Sequence, residues 1–318
     1  MRALTLTSFG GLDGVVLTDV AEPEMPDDAV TVRVHAVALA KWDVTTTEGV
    51  FVAMGGMTTF PQVLGWDFAG VISSAGSSVA GWEPGDRVLG FSPQPWTGTG
   101  VIAELVVLQP SMIAALPAEL DFIAGATLPV TCLTAQQIVD AGGLRDGTAA
   151  ALVIGAAGAV GGVVVQLGRD RGARMIASAG SADFGRVRDL GAADAVDRAG
   201  DVAAQVKDLV PEGADVTIDL VGPAVWQSAL AATRTGGRLI TTSGPGSLAD
   251  VERGITALPV KVQPDAASLT SLAERYANRS LTMTTTVAGV FPLPRARQAL
   301  EAVSRGKGRE KYVLDLQQ

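Results

Sequence analysis

The chain has 318 residues, 47% apolar and 18% charged, with a formal net charge of -9. Such a chain can bury a sizeable core over about two domains, and its acidity argues against a nucleic-acid or anionic-membrane partner. The single cysteine, Cys132, and single histidine, His35, exclude an intrachain disulfide and a four-cysteine zinc site, and any Ser-His-Asp or Cys-His chemistry would have to use His35.

No apolar run approaches the roughly 18 residues that span a bilayer. Residues Met1 to Ser8 read as a strand and not as a secretory leader. With one cysteine, this fits a cytoplasmic address. Up to about residue 121 the sequence is β-rich and punctuated by turns. Strands are expected at Ala3–Thr7, Val15–Asp19, Val30–Ala38, Gly70–Ser74, Arg87–Gly90 and Ala103–Val107. Between them stand Gly10-Gly11, Pro23, Pro26, Gly76, Glu83-Pro84-Gly85-Asp86 and the stretch from Pro93 to Gly100. There is no strand–helix alternation here, which implies a separate, partly antiparallel domain. In the third strand His35 shares a face with Thr31 and Arg33, opposite Val32 and Val34. It reads as a half-exposed strand histidine.

Past Asp121 the character changes. Phe122–Leu128 and Thr131–Ala141 read as helices separated at Pro129. Strands at Ala149–Ile154, Arg174–Ala179, Ala195–Val196, Asp215–Val221 and Gly237–Thr242 then alternate with helices at Gly161–Arg171, Asp183–Leu190, Val202–Val210 and Val225–Thr233. That alternation is the pattern of an α/β fold with a doubly wound parallel sheet. After about residue 258 mixed character returns: a helix Ser268–Ala277, a strand near Met283–Thr286, a helix Leu293–Arg305 and a last strand Tyr312–Leu316. A dinucleotide-binding domain, residues 122–257, is thus inserted in a domain made of residues 1–121 and 258–318.

The stretch Gly155-Ala156-Ala157-Gly158-Ala159-Val160-Gly161 joins the first strand of that alternation to its first helix. Such a turn leaves backbone N–H groups free at the positive end of a helix, where a pyrophosphate can sit. Against the GxGxxG fingerprint it reads AxGxxG from Ala156 to Gly161. Ala in the first slot still permits the turn. Gly158 lets the backbone approach the phosphates, and Gly161 lets helix and strand pack closely. An acid at the end of the second strand would bind a ribose 2′-OH and select NAD. That end reads Ser178-Ala179-Gly180-Ser181, with Asp183 only inside the next helix. Small hydroxyl residues leave room for a 2′-phosphate, and Arg186 and Arg188 offer positive charge, so NADPH is the expected cofactor.

Further stretches carry a resemblance. They are Phe60-Pro61-Gln62-Val63-Leu64-Gly65-Trp66-Asp67-Phe68-Ala69-Gly70-Val71, Glu83-Pro84-Gly85-Asp86-Arg87-Val88, Leu133-Thr134-Ala135, the glycine loop, Leu190-Gly191-Ala192-Ala193-Asp194, Asp219-Leu220-Val221-Gly222, Gly236-Gly237-Arg238-Leu239 and Val290-Phe291-Pro292-Leu293. In this order they resemble the medium-chain dehydrogenase/reductase superfamily, in its zinc-free quinone oxidoreductase and enoyl reductase branch. The resemblance implies a doubly wound parallel Rossmann sheet inserted in a β-rich GroES-like catalytic domain, an active site in the cleft between them, and a homodimer. The strand near Met283–Thr286 is a candidate to extend a sheet across chains. Where zinc-dependent relatives carry a His-Glu pair after Gly65, this chain has Trp66-Asp67, so no metal is expected. Thr134 is placed near the nicotinamide or phosphates, Ser243-Gly244 near the nicotinamide and Val221-Gly222 along the cofactor's edge. Relatives often carry Asn-Pro-x-Asp in the cleft. Here it is Ala40-Lys41-Trp42-Asp43, and the Val44 to Gly49 segment lacks the basic residue usual before the glycine.

Together these readings imply NADPH-dependent hydride transfer, without metal, to a quinone or an α,β-unsaturated carbonyl, acceptors already polarised by conjugation. A developing oxyanion needs donors, for which Lys41, Thr47 and Thr131 are candidates with Asp43 as an orienting group. Lys311, just before the last strand, is a candidate to face the cleft, with a strand-end surface lysine the slightly preferred reading. No Tyr-x-x-x-Lys pair follows Tyr276 or Tyr312. Two alternatives are a dedicated biosynthetic enoyl reductase acting on a polyketide-like intermediate and a cofactor-binding protein with little catalysis.

Overall fold

The fold is taken from a computed structural model that describes residues 1–145, 147–148, 150–242, 253–306 and 310–318. The strands in chain order are β1 (Arg2–Leu6), β2 (Val15–Asp19), β3 (Val30–Leu39), β4 (Gln62–Val63), β5 (Asp67–Ala75), β6 (Arg87–Phe91), β7 (Leu105–Leu108), β8 (Ile113–Ala115), β9 (Ala151–Ile154), β10 (Met175–Ala179), β11 (Asp194–Asp197), β12 (Ala214–Asp219), β13 (Thr233–Thr241), β14 (Thr256–Pro259), β15 (Thr286–Pro292) and β16 (Glu310–Asp315). The helices are α1 (Lys41–Thr47), α2 (Gln94–Thr97), α3 (Phe122–Ala126), α4 (Pro129–Gly142), α5 (Ala159–Asp170), α6 (Phe184–Asp189), α7 (Val202–Leu209), α8 (Trp226–Ala232), α9 (Ala266–Ala277) and α10 (Ala296–Arg305).

The chain divides into two compact units. One holds Met1–Leu133, Gln263–Ser280 and Thr285–Gln318; the other holds Thr134–Val262 and Leu281–Thr284. The first division therefore falls within α4, past the composition shift at Asp121, because α3 packs on β3 and β5.

The first unit is built on a sheet of order β15-β16-β3-β5-β6-β8, with β7 also pairing β3, and a small sheet of order β2-β1-β4. The ten residues of β3 form its centre. Their register on β5 shifts between Thr31 and Val32 and again between Val34 and Ala36. Those bulges break the strict alternation read from the sequence. Thr31 is buried while Arg33 is exposed and His35 half-buried. Burial pushes the His35 pKa down, helped by Arg33, and its ring leans on Phe122 at 4.3 Å. The core joins Leu4, Val32, Phe68, Ile102 and Leu314 to Leu300 of α10. In that helix Ala296, Ala299, Leu300 and Val303 are buried, the i, i+3, i+4, i+7 spacing of a helix with one apolar face.

The second unit is a six-stranded sheet of order β11-β10-β9-β12-β13-β14. Every pairing in it is parallel. Numbered from β9, this is the 3-2-1-4-5-6 order of a dinucleotide-binding fold. β9 and β10 are buried at every position, as strands covered on both faces must be. The expected five strands are present, and β14 adds a sixth at the edge.

Some local readings change. The helix α1 was not legible, since Lys-Trp-Asp-Val-Thr-Thr-Thr is a poor helix former. It forms with Asp43 accepting the Ala40 N–H at 2.8 Å, a first-turn side chain reaching back to the residue before the helix. β12 stops at Asp219 and not Val221, because the Asp219 carboxylate accepts the N–H groups of Val221 (2.8 Å) and Gly222 (2.9 Å) and turns the chain. The strand expected near Met283–Thr286 begins only at Thr286. Residues Leu281–Thr284 instead lie along α5: the Gln166 amide bonds Thr282 through both O (2.8 Å) and N (2.9 Å).

At the β9–α5 turn a Cβ on Gly161 would run into the Gly155 carbonyl oxygen and stand 2.8 Å from Ala156 Cα, all backbone. Gly161→Ala is expected to lower stability by about 1–3 kcal/mol, the usual cost of overpacking. Gly158→Ala, whose Cβ would meet only the Gly155 oxygen at 3.2 Å, should cost less. Urea unfolding of both variants checks the order; equal midpoints would contradict it.

Candidate active site

The glycine loop lies at the carboxyl ends of β9 and β12, the strands at which the sheet order reverses. In open α/β sheets that is where ligands bind. Gly155 turns the chain with φ +89°, a conformation open to glycine at no steric cost. A Cβ there would touch Leu220 and Val221 at 3.4 Å, so the loop and Val221 are neighbours. Gly158 caps α5, and the first intrahelical bond runs from Gly162 N–H to Gly158 O at 3.0 Å. The N–H groups of Ala159, Val160 and Gly161 precede that bond and are open to an anion. Gly158, Ala159 and Val160 are partly exposed, while Ala156 and Ala157 are buried. Val221 is exposed and Gly222 buried beside Asp219, and burial raises the Asp219 pKa.

The tip of β10 differs from the reading made for it. Ser178 lies inside the strand with its hydroxyl buried and unpartnered, so it does not line the tip; Gly180 and the exposed Ser181 do. Arg186 is drawn to the loop by protein carbonyls. Its Nη2 donates to Ala157 O at 3.3 Å and to Thr284 O, and Thr284 in turn donates to Gly158 O at 2.8 Å. Arg186 thus ties residues 281–284 to the loop. Arg188 is exposed and lies over Phe184. The residue that sequence reasoning missed is Arg198, whose backbone bonds Ala179 O. Its Nε lies 3.6 Å from where a Gly180 Cβ would stand. Asp183 Oδ2 is 3.8 Å from the same point, but Asp183 is buried and Arg198 exposed. Asp183 ends a single helical turn before α6 and does not lie inside that helix. Thr134 is buried on α4. Ser243 and Gly244 lie outside the described residues.

In the first unit the catalytic candidates part. Lys41 is exposed at the start of α1, whereas Asp43, Thr47 and Thr131 are buried. The Thr47 hydroxyl is used locally, on Val44 O at 2.7 Å. Asp43 belongs instead to a buried cluster with Asp67, Lys311 and Trp42. Lys311, read as a surface lysine, is 3% exposed. It alternates inward on β16, and its Nζ lies 5.0 Å from the centre of the Trp42 ring without a hydrogen bond. Asp67 Oδ1 accepts the Val130 N–H at 2.7 Å, just before Thr131. Burial pushes the Asp67 pKa up to about 6, against the opposing pull of Lys311. The Trp42 indole N–H draws it down as well, although that N–H completes no hydrogen bond of normal geometry. Burial pushes Asp43 to about 8, with the neighbouring Asp67 adding to the rise, so at neutral pH it mostly holds a proton. Its Oδ1 is buried with no partner, where a neutral carboxyl is the cheaper form. Burial raises the Cys132 thiol to about 12, so it is no nucleophile.

Comparison with known proteins decides the family. The family model described as alcohol dehydrogenase GroES-like domain matches residues 26–118, and the one described as zinc-binding dehydrogenase matches residues 159–262. A zinc-type alcohol dehydrogenase-like protein of Schizosaccharomyces pombe is 31% identical over 74% of this chain and 67% of its own. The chain belongs to the medium-chain dehydrogenase/reductase superfamily. Its relatives lie in the quinone oxidoreductase and enoyl reductase branch. The NADPH-dependent alkenal/one oxidoreductase of Arabidopsis thaliana is 32% identical over 77% of this chain, which spans 63% of that relative's length. The quinone oxidoreductase from Coxiella burnetii superposes with a TM-score of 0.86 over 99% of both chains at 25% identity.

Zinc, named in two of those descriptions, does not fit the described residues of this superfamily member. Among the described residues no three of His, Cys, Asp or Glu come together to hold a metal. Trp66 packs among other rings, and the cation beside Asp43 and Asp67 is the Lys311 ammonium.

The Asp43 pKa of about 8 lies above its ordinary 3.8, so the native state binds a proton that the unfolded chain has released. This group's contribution is fully present below pH 4 and is lost as pH rises towards 8. Asp43→Asn should therefore gain stability relative to the parent as pH rises from 5 to 8.5, read by urea unfolding; a constant difference would contradict the assignment. Lys311→Met leaves the aspartates without a counter-charge and should cost about 3–5 kcal/mol at neutral pH, the scale for breaking a buried pair. A loss under 1 kcal/mol would contradict the buried cluster.

Proposed function

We propose that this chain is a zinc-independent, NADPH-dependent reductase that delivers a hydride to a quinone or an α,β-unsaturated carbonyl. The observation that carries the reading is the loop from Gly155 to Gly161. It sits at the switch point of the sheet with three helix N–H groups open, and a side chain at Gly161 would strike backbone. The relatives named for alkenal/one and quinone reduction support the acceptor class.

Arg198 supports NADPH over NADH. It is the exposed charge beside Gly180, so a 2′-phosphate arriving from solvent meets a guanidinium, while the acid at that tip is buried. Arg186 has the lesser role of fixing the loop. When bound, the nicotinamide supplies the hydride, and the protein's part is to place it and exclude water. With no zinc to polarise a carbonyl, that task falls to conjugation in the acceptor and to donors. Lys41 is the exposed donor of α1 for the developing oxyanion. Asp43 and Thr131 are buried; Asp43 acts by closing the start of α1, and the start of α4 is held by Asp67. No helix among the described residues is long and apolar enough to cross a membrane; a homodimer in the cytoplasm completes the reading.

Gly158→Asp, which adds bulk and negative charge where the pyrophosphate would lie, should abolish NADPH binding measured by calorimetry. Arg198→Glu should cut the preference for NADPH over NADH by about tenfold or more, the loss of one charge-assisted contact. Unchanged NADPH affinity in the first variant would overturn the cofactor site, and an unchanged preference in the second would overturn the role of Arg198. Oxidation of NADPH against a panel of quinones and enones tests the acceptor: turnover of neither class would overturn the reductase reading.

A further inference from the structure

At the amino ends of β9, β12 and β13 the second unit holds a cavity of about 330 Å³. This is the opposite end of the parallel sheet from the glycine loop, and a volume at the lower end of small-molecule sites. The cavity owes its shape to one irregularity. Ala214 pairs with Thr233 and Val216 with Arg238, so Asp215 of β12 faces four residues of β13, Arg234 to Gly237. The surplus residues bulge, and a bulge re-aims the side chains it carries.

Three guanidinium groups line the cavity, those of Arg145, Arg234 and Arg238, with the carboxylate of Asp215. Both oxygens of that carboxylate are engaged. Oδ1 meets Arg234 Nε at 2.6 Å, and Oδ2 accepts the Ala150 N–H at 3.0 Å. Arg234 Nη1 also donates to Thr235 O at 3.0 Å. Arg238 donates from Nη1 to Gly142 O at 3.0 Å. It lies so close over Gly143 that a Cβ there would stand 2.5 Å from the same nitrogen. Two guanidinium forks are thus held in place by bonds that use only part of their five donors. Arg145 and Arg238 are exposed and Arg234 is half-buried, so an anion can reach them.

The other walls leave space beside these groups. A Cβ on Gly147 would meet nothing within 4 Å, and one on Gly236 only Arg234 Nη1 at 3.8 Å. Val216 is the one hydrophobic side chain among the described lining residues, so the cavity suits a polar body and not a hydrocarbon. Elsewhere on this unit arginines are matched by acids, Arg169 with Asp170, Arg171 with Asp140 and Arg174 with Asp194. Here, among the described lining residues, three arginines against one aspartate leave an excess of two positive charges, in a chain whose net charge is -9. A cleft lined by one sign of charge focuses its field, and guanidinium forks match phosphate oxygens two at a time.

We infer that this cavity is a second binding site, for a small polar molecule carrying at least two negative charges on phosphate. It is separate from the glycine loop, with β9 between them, and it does not rest on the reductase reading.

Inorganic pyrophosphate is the probe, titrated into the intact chain by calorimetry with acetate as the singly charged control. Because the glycine loop is itself proposed to take a pyrophosphate, the titration is made in Gly158→Asp and again in the parent saturated with NADPH. Pyrophosphate should bind at one site, at least about tenfold more tightly than acetate. Arg145→Gln and Arg238→Gln should each weaken it about tenfold, the loss of one charge-assisted contact. Arg145 lies outside the strands, so its variant decides the matter if Arg238→Gln does not fold. Arg174→Gln, at an arginine outside the cavity, should leave the affinity unchanged. No binding of pyrophosphate, equal binding of acetate, or an equal loss in all three arginine variants would overturn the proposal. So would binding that is lost in Gly158→Asp yet kept in Arg145→Gln, which would give the anion to the glycine loop alone.

Discussion

The dinucleotide unit depends on one close approach, that of the α5 helix to the carbonyl of Gly155. Helix and loop meet so tightly at Gly161 that no side chain fits, and this contact aims the first N–H groups of α5 at the switch point of the sheet. Residues 281–284 reinforce it from the other side. The hydrogen bonds of Gln166 to Thr282 and of Thr284 to Gly158, together with the bridge from Arg186, hold the loop at fixed distance from the helix. A phosphate-binding backbone gains from rigidity, because donors already in place need no reorganisation when the anion arrives.

The other unit is governed by an electrostatic constraint. Two carboxyl groups and an ammonium are buried near one another, and Asp43 Oδ1, Asp67 Oδ2 and Lys311 Nζ complete no hydrogen bond. Such a group persists only if its charges balance. A neutral Asp43, an ionised Asp67 and a charged Lys311 meet that condition at neutral pH. A divalent metal here would add its charge to that of Lys311, which supports the proposed metal-free reading with acceptors activated by their own conjugation.

Much of the architecture was legible because parallel strands covered on both faces must be apolar throughout, as in Ala151–Ile154 and Met175–Ala179, and because glycines mark the β9–α5 turn. The helix α1 was not, since Asp43 rather than intrinsic propensity starts it. The burial of Lys311 was not legible, because one lysine in a strand is usually solvated and this one is buried beside carboxyl groups far away in sequence. Arg198 was missed for a similar reason. It stands beyond β11, and only the parallel pairing of β10 with β11 brings it to Gly180. Arg186 and Ser178 were near in sequence but committed elsewhere, to protein carbonyls and to the strand interior.

The most direct measurement of metal-free hydride transfer uses the intact chain after exhaustive treatment with a chelator. It is incubated with NADPH deuterated at the transferable position and a conjugated enone, and the product is examined by mass spectrometry. The account predicts one deuterium at the β-carbon of the saturated ketone, formed at a rate unaffected by chelation. Product without deuterium, or turnover that vanishes on chelation and returns with zinc, would contradict it.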